Sequence, residues 1–390
     1  MSTVADHQSI AESLPTGQVA AALVDLEAIR SNTATVRRRA GDAELIAVVK
    51  ADGYGHGALP AARAALAGGA GRLGVAFLAE ALALRAAGVE APVMAWITVP
   101  GDAFVEAVGA DVEIALGSPW ALDAVEAAAR ELGRPAQIHL EVDTGLGRGG
   151  ATAADWPDLL RRVAPLVAEG AVQLVGTMSH LACSDVPDHP SIAAQVEAYR
   201  DALAQLERVG LRPGLRHLGN SGAALAVPQA RFDAVRPGVA LYGVSPSDDV
   251  PPGHWGLRPA MTLLARLAHV KHVEAGQGVS YGLTHHTTAP GWLALVPLGY
   301  GDGIPRHASD LGPVLLGGRR QRIAGRVCMD QVVLDLGETP ARPGDVAVLF
   351  GAGDLGEPTV QEWARVAGTI GYEIVTRIGA RVPRLYRGLT

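Results

Sequence analysis

Short apolar runs alternate with Ala- and Leu-rich stretches of helical period over the first two thirds of the chain. Continuous apolar runs bounded by turn residues predict buried strands. Apolar positions recurring every three or four residues predict amphipathic helices. On this basis residues 45–49 (LIAVV), 73–77, 92–97, 112–115, 138–142 and 174–178 are strands, with 215–218 and 234–236 completing the set. Helices fall at 58–66, opened by Pro60 in the first turn, at 78–87, closed by Gly88, and at 119–132, 156–168 and 192–209. Alternation repeated about eight times predicts a parallel sheet, and the count favours a closed (β/α)8 TIM-type barrel over an open doubly wound sheet.

From about Pro259 the texture changes. Residues 263–273, 292–297, 314–316, 321–324, 331–336 and 346–350 read as strands separated by Gly, Pro and Asp turns, and only 360–369 reads as a helix. The expected division is a flexible tail over 1–17, the barrel over 18–257 and a β-rich C-terminal domain over 258–390. The loop 245–253 (SPSDDVPPG) is the expected hinge. No internal repeat is visible.

Composition narrows the function classes. Hydrophobic residues make up 48% of the 390 and charged ones 19%, which excludes global disorder. A net charge of −7 supplies no basic surface for nucleic acid or anionic membranes. Cys183 and Cys328 are the only cysteines, too few for a disulfide framework, so a reducing cytoplasm is expected. The N-terminal residues lack the basic start and apolar stretch of a signal peptide, and no apolar run reaches the roughly 18 residues of a membrane span. The adjacent His285 and His286 read as solvated loop residues, and no metal site is expected.

Lysine occurs only at Lys50 and Lys271, while arginine supplies the other basic residues. Lys50 directly follows the apolar run LIAVV and opens the glycine-rich stretch Ala51-Asp52-Gly53-Tyr54-Gly55-His56-Gly57. In a barrel, the carboxyl end of a strand faces the catalytic side. A lysine there can lose its proton and act as a nucleophilic amine, which guanidinium cannot do.

The stretch AVVKADGYGHG closely resembles the signature of the alanine racemases, pyridoxal-phosphate enzymes of fold type III. The resemblance runs from about Val19 to Tyr386, with the motifs in order. It implies that Lys50 carries pyridoxal 5′-phosphate and that Tyr54 contacts the phosphate. In the stretch HLEVDTGLGR, Arg148 matches an arginine near the cofactor and the substrate carboxylate, for which a planar fork of donors is suited. Ser221, Gly238 and Val239, with Asn220 beside them, match the phosphate-holding segment. Tyr372 matches a tyrosine at the phosphate or entrance.

Arg236 matches an arginine facing the pyridine nitrogen, with His217 supporting it. Arginine does not release its proton at ordinary pH, so the ring would remain a weaker electron sink and racemisation would be favoured over transamination. In GVSYG, Tyr281 matches the second base, opposite Lys50 in a two-base mechanism. A free tyrosine has a pKa near 10, so its use at neutral pH implies neighbouring cations, and the resemblance suggests His180, linked to Arg236. Tyr300 matches an entryway tyrosine. Met329 matches the residue whose backbone N–H meets the substrate carboxylate, and Asp330 is its neighbour. Glu141 departs from the pattern: many members carry an often carbamylated lysine there. Its carboxylate is expected to replace the carbamate's charge and to orient Arg148.

The resemblance also implies a head-to-tail homodimer whose sites are shared between subunits, and production of D-alanine for peptidoglycan. The rival readings are a racemase of another amino acid such as serine, a decarboxylase of the same fold type, and a non-catalytic pyridoxal-phosphate carrier.

Overall fold

The computed structural model describes residues 14–388. Strand β1 (Ala20–Asp25) is followed by eight strands that close into a parallel barrel: β2 (Glu44–Val48), β3 (Arg72–Phe77), β4 (Val93–Ile97), β5 (Val112–Leu116), β6 (Ala136–Glu141), β7 (Val172–Met178), β8 (Leu215–Gly219) and β9 (Ala234–Val235). Closure comes from the pairing of Glu44 with Ala234 and of Leu45 with Val235. Ile46, Met94, Ala115, Met178 and Ala234, from five different strands, pack in one layer with Trp96 and Leu215 against it. Such layers fill a barrel of this type. The helices between strands obey the expected stop signals. Helix Pro119–Leu132, for example, has proline in its first turn and ends on Gly133 in the left-handed region.

The chain divides into two compact units. The barrel unit comprises residues 30–53 and 58–241, and the second unit holds 14–29, 54–57 and 242–388. The second unit is built from β1 and from β10 (Met261–Arg266), β11 (His269–Val273), β12 (Gly278–Val279), β13 (His285–His286), β14 (Gly291–Val296), β15 (Pro313–Leu316), β16 (Arg319–Arg322), β17 (Val332–Gly337), β18 (Val346–Phe350) and β19 (Arg384–Arg387). Its main sheet has the order β16-β15-β18-β10-β1-β19, beside a three-stranded sheet β11-β14-β17 and the pair β12-β13.

Several expectations need correction. Residues 20–25 were assigned to the barrel, but β1 pairs with β10 and β19 in the second unit. Of the tail expected over 1–17, residues 1–13 lie outside the described residues. Leu14 is buried against Ala21, Leu23 and Leu264. The single strand expected over 263–273 is two strands in different sheets. Between them Leu267 donates to the Asp345 carbonyl and Ala268 to that of Leu295, so the chain changes partners within two residues. An unbroken apolar run carries no sign of that switch. Strand β16 lies earlier than the expected 321–324, because its arginine-rich edge has no apolar alternation. His285 and His286 form a strand rather than a loop; His285 is half-buried and its Nε2 bonds Asp335 at 2.8 Å, while His286 is exposed as expected. Helices Leu26–Ala40, Phe104–Gly109 and Gly371–Thr376 and strand β19 add to the expected elements.

Gly176 of β7 shows how closely the barrel is packed. A Cβ there would overlap His139 Nδ1 and stand 2.7 Å from the Leu215 carbonyl oxygen. Gly176→Ala is therefore expected to cost about 1–3 kcal/mol through overpacking. A thermal or urea unfolding curve checks this, and unchanged stability would contradict the observed packing.

Candidate active site

Lys50 stands one residue beyond β2, after Val49, and the chain then makes one left-handed turn. Ala51, Asp52, Gly53 and Tyr54 have φ of 53°, 52°, 62° and 52°. This conformation costs non-glycine residues about 1–2 kcal/mol each, so it must be held from outside. Glu80 Oε1 accepts from the Ala51 N–H at 2.7 Å, and Asp52 Oδ1 accepts from the Ala58 N–H at 2.8 Å. Glu80 Oε2 accepts from Ala76 and Phe77 at 2.8 and 3.0 Å, which fixes the carboxylate itself. The Lys50 amine lies 5.6 Å from the centre of the Trp96 ring. Burial lowers its pKa, the charges of Arg148 and Arg236 lower it further, and Glu80 opposes them. The amine therefore gives up its proton more readily than an ordinary lysine, as carbonyl chemistry requires.

Arg236 follows β9 and is 4% exposed. Its Nη1 donates to the His217 carbonyl at 2.7 Å and to His217 Nδ1 at 2.8 Å. Its Nη2 donates to the Ser179 carbonyl at 2.6 Å and to His180 Nδ1 at 3.1 Å. Burial pushes its pKa down to about 10, with Glu141 and Tyr199 opposing and Arg148 adding to the fall. It stays a cation at neutral pH. Burial and the charges of Arg236, Arg148 and Lys50 hold His180 well below its ordinary value. This corrects the expectation of His180 as a cation: it is neutral, with its lone pair on Nδ1 toward Arg236 and its hydrogen on Nε2.

His217 leads deeper into the barrel. His217 Nε2 lies 2.9 Å from His139 Nδ1, and His139 Nε2 lies 3.0 Å from Glu113 Oε2. Arg72 pairs with Glu113 Oε1 and, through Nε, with Glu44 at 3.0 Å. Burial alone would raise the pKa of Glu113, but His139 and Arg72 together hold it below the usual carboxylate range. Sequence reasoning missed Glu80, Arg72 and Glu113 and gave His139 no role. One signal was present: a lone acidic residue inside the apolar strand VEIAL, all of which is buried.

Asn220 caps the helix Ser221–Ala226 by accepting from Ala223 at 3.3 Å, and it accepts from the Ser184 hydroxyl at 2.6 Å. Ser221 Oγ accepts from the Gly238 N–H at 2.9 Å and the Ala240 N–H at 3.4 Å, beside buried Val239. Burial raises the pKa of Glu141, Arg236 and Arg148 oppose the rise, and Asp143 adds to it. A Cβ on Gly149 or Gly150 would lie 3.3 Å from its carboxylate oxygens or 3.1 Å from its Cγ, so the loop carrying Arg148 rests on Glu141. Among the described residues no hydrogen bond or ion pair joins Glu141 to Arg148. Their coupling is through charge.

The remaining residues lie in the second unit. The Tyr54 ring is 5.0 Å from that of Tyr242 and 6.4 Å from that of Tyr372. Burial and the neighbouring Tyr372 raise the Tyr54 pKa, so its phenol stays protonated. Tyr281 sits in a turn where Ser280, Gly282 and Leu283 all have positive φ, and it is 71% exposed. The Ser280 hydroxyl lies 3.3 Å from Cys328 Sγ. Tyr300 donates its N–H to the Cys328 carbonyl at 2.9 Å, and Gly301 donates to that of Met329 at 2.8 Å. Arg381 bridges Asp330 at 2.7 Å and Asp302 at 2.9 Å. The structure thus gathers Lys50, Glu141, Arg148, His180, His217 and Arg236 in one unit. It ties the Tyr281 turn to Tyr300 and Met329 in the other.

A closed parallel barrel with a lysine amine at a strand end, a buried guanidinium in the same unit and a β-rich second unit is the architecture of a barrel enzyme. The comparisons specify which. Residues 24–246 match the N-terminal domain of alanine racemase and residues 260–386 its C-terminal domain. The chain is 55% identical over 366 residues to an alanine racemase of Frankia casuarinae, covering 94% of this chain and 95% of that protein. It is 54% identical over 375 residues to one of Streptomyces coelicolor, covering 94% of this chain and 95% of that protein. The crystal structure of alanine racemase from D-cycloserine-producing Streptomyces lavendulae superposes with a TM-score of 0.95 at 52% identity, covering 96% of this chain and 99% of that one. The chain belongs to the alanine racemase family, and its activity is that of an isomerase.

Proposed function

We propose that this enzyme interconverts L- and D-alanine using pyridoxal 5′-phosphate, as a cytoplasmic homodimer that supplies D-alanine for peptidoglycan. The observation that carries the reading is Lys50, a partly buried amine with a lowered pKa at a barrel strand end, in a chain of this family. The residues present fit the cofactor. Lys50 would hold it through its aldehyde. Ser221 Oγ already accepts from the Gly238 N–H, so its own hydrogen is available to the phosphate, with Gly238 and Val239 at hand. Asn220, Tyr54 and Tyr372 complete the assignment by resemblance. Arg236 has donors only and would present them to the pyridine nitrogen.

Bound there, the cofactor supplies the electron sink that acidifies the substrate Cα–H. The protein's part is binding and proton movement. Arg148 would hold the substrate carboxylate with its planar fork, together with the Met329 N–H. The Lys50 amine takes or returns the Cα proton on one face, and the Tyr281 phenol does so on the other. His180, neutral with its hydrogen on Nε2, donates toward the group that moves the proton. Tyr300 lines the approach and Asp330 steadies its segment through Arg381. Glu141 lends negative charge to Arg148 and Arg236. In this division of labour the barrel unit, residues 30–53 and 58–241, supplies most of the cofactor site, and the second unit brings the second base to the partner's site.

Incubation with pyridoxal 5′-phosphate and borohydride should place the label on Lys50, and L-alanine should lose its optical rotation. A label elsewhere ends the cofactor reading, and faster racemisation of L-serine ends the alanine assignment. Lys50→Ala and Tyr281→Ala proteins, each inactive, should regain about a quarter of wild-type activity after subunit exchange. Half of the dimers are then mixed, each with one intact site of two. Exchange without recovery rules out a shared site. Glu141→Gln should raise the KM for alanine roughly tenfold, the equivalent of about 1.4 kcal/mol of lost charge interaction. An unchanged KM removes Glu141 from substrate binding.

A further inference from the structure

Six buried or half-buried polar groups form a line through the barrel interior: Arg72, Glu113, His139, His217, Arg236 and His180. The direction in which hydrogens are donated along it follows from the two ends. Arginine has donors and no acceptor, so Arg236 Nη1, 2.8 Å from His217 Nδ1, requires a lone pair there. His217 is wholly buried beside Arg236 and is neutral. Its one hydrogen is therefore on Nε2, pointing at His139 Nδ1 2.9 Å away. His139 must accept there, so its hydrogen is on Nε2 and is donated to Glu113 Oε2 at 3.0 Å. The other oxygen, Oε1, is taken by Arg72. Three hydrogens are thus donated in one sense, and the line ends on the carboxylate. Reversing either imidazole would set two N–H groups against each other.

We propose that Glu113 is a positioning residue for Arg236: by accepting from His139 it fixes both imidazole tautomers and so keeps the His217 lone pair that holds the guanidinium in place. The effect crosses three hydrogen bonds, through His139 and His217, without any change of shape. The step that links Arg236 to catalysis rests on the reading given under Proposed function; the hydrogen pattern does not.

Polarity can be separated from packing with an isosteric change. In Glu113→Gln the Arg72 donor claims the amide oxygen, so the amide NH2 faces His139 Nε2. Both imidazoles must then reverse, and Arg236 meets an N–H in place of a lone pair. In Arg72→Met/Glu113→Gln the amide is free to turn its oxygen toward His139, and the original direction returns. A neutron crystal structure of the cofactor-loaded enzyme should place the hydrogens of His139 and His217 on Nε2. In Glu113→Gln they should move to Nδ1, with kcat falling roughly 10- to 100-fold from the loss of a buried hydrogen bond. The double variant should restore the Nε2 pattern and bring kcat to within about threefold of wild type.

Hydrogen on Nδ1 of either histidine in the wild type overturns the proposal, as does a Glu113→Gln protein that keeps both on Nε2. A double variant no better than the single one also overturns it. Should Glu113→Gln not fold, the wild-type map and the double variant decide alone. Correct hydrogens in a protein unlabelled at Lys50 would refute the cofactor reading and leave this one standing.

Discussion

A guanidinium buried in a barrel sets the terms for the rest of this protein. Taking such a charge out of water costs several kcal/mol unless it is hydrogen-bonded. Arg236 gives each of its two terminal nitrogens one backbone carbonyl and one imidazole. Those imidazoles must be neutral and must present lone pairs, so the cation dictates the protonation of everything it touches. The same field, added to burial, lowers the Lys50 pKa. A group that stays a cation at neutral pH thereby keeps its imidazole neighbours neutral.

The barrel makes this arrangement possible because its strands bury these positions away from solvent. Glu113, His139, Thr177 and His217 are all buried within strands whose other buried positions are apolar or glycine. In water their interactions would be worth little. In a low-dielectric interior each bond is stronger and each unmet group costs more, so the set is satisfied as a whole. Gly176, which leaves room for the His139 ring, belongs to the same arrangement although it has no side chain.

Strain is placed where the chemistry is. The left-handed turn after Lys50 is unfavourable for Ala51 and Asp52, and the Glu80 and Asp52 carboxylates hold it by accepting backbone N–H groups. The turn ends the strand abruptly and leaves the lysine at the strand end instead of carrying it into a helix. Strained backbone at a functional position is sustained only where surrounding groups over-determine it.

Much of this was legible from sequence. Apolar runs and helical periods located all eight barrel strands within about two residues, because burial on both faces writes itself into local pattern. The position of Lys50 at a strand end followed from LIAVV alone. What the pattern could not carry was partnership. Strand β1 lies far in sequence from β10 and β19, and nothing in its residues names them. The chain's change of sheets at Leu267–Ala268 hides inside one apolar run. Glu80 and Arg72 look like ordinary charged residues until folding brings Glu80 to the Ala51 N–H and Arg72 to Glu113, and the burial of Glu113 in VEIAL does not name His139 as its partner. Local sequence determines which residues leave water, since that depends on each side chain and its near neighbours. Only the tertiary structure decides which buried polar groups meet, because a hydrogen bond depends on distances between segments that the chain's order does not specify.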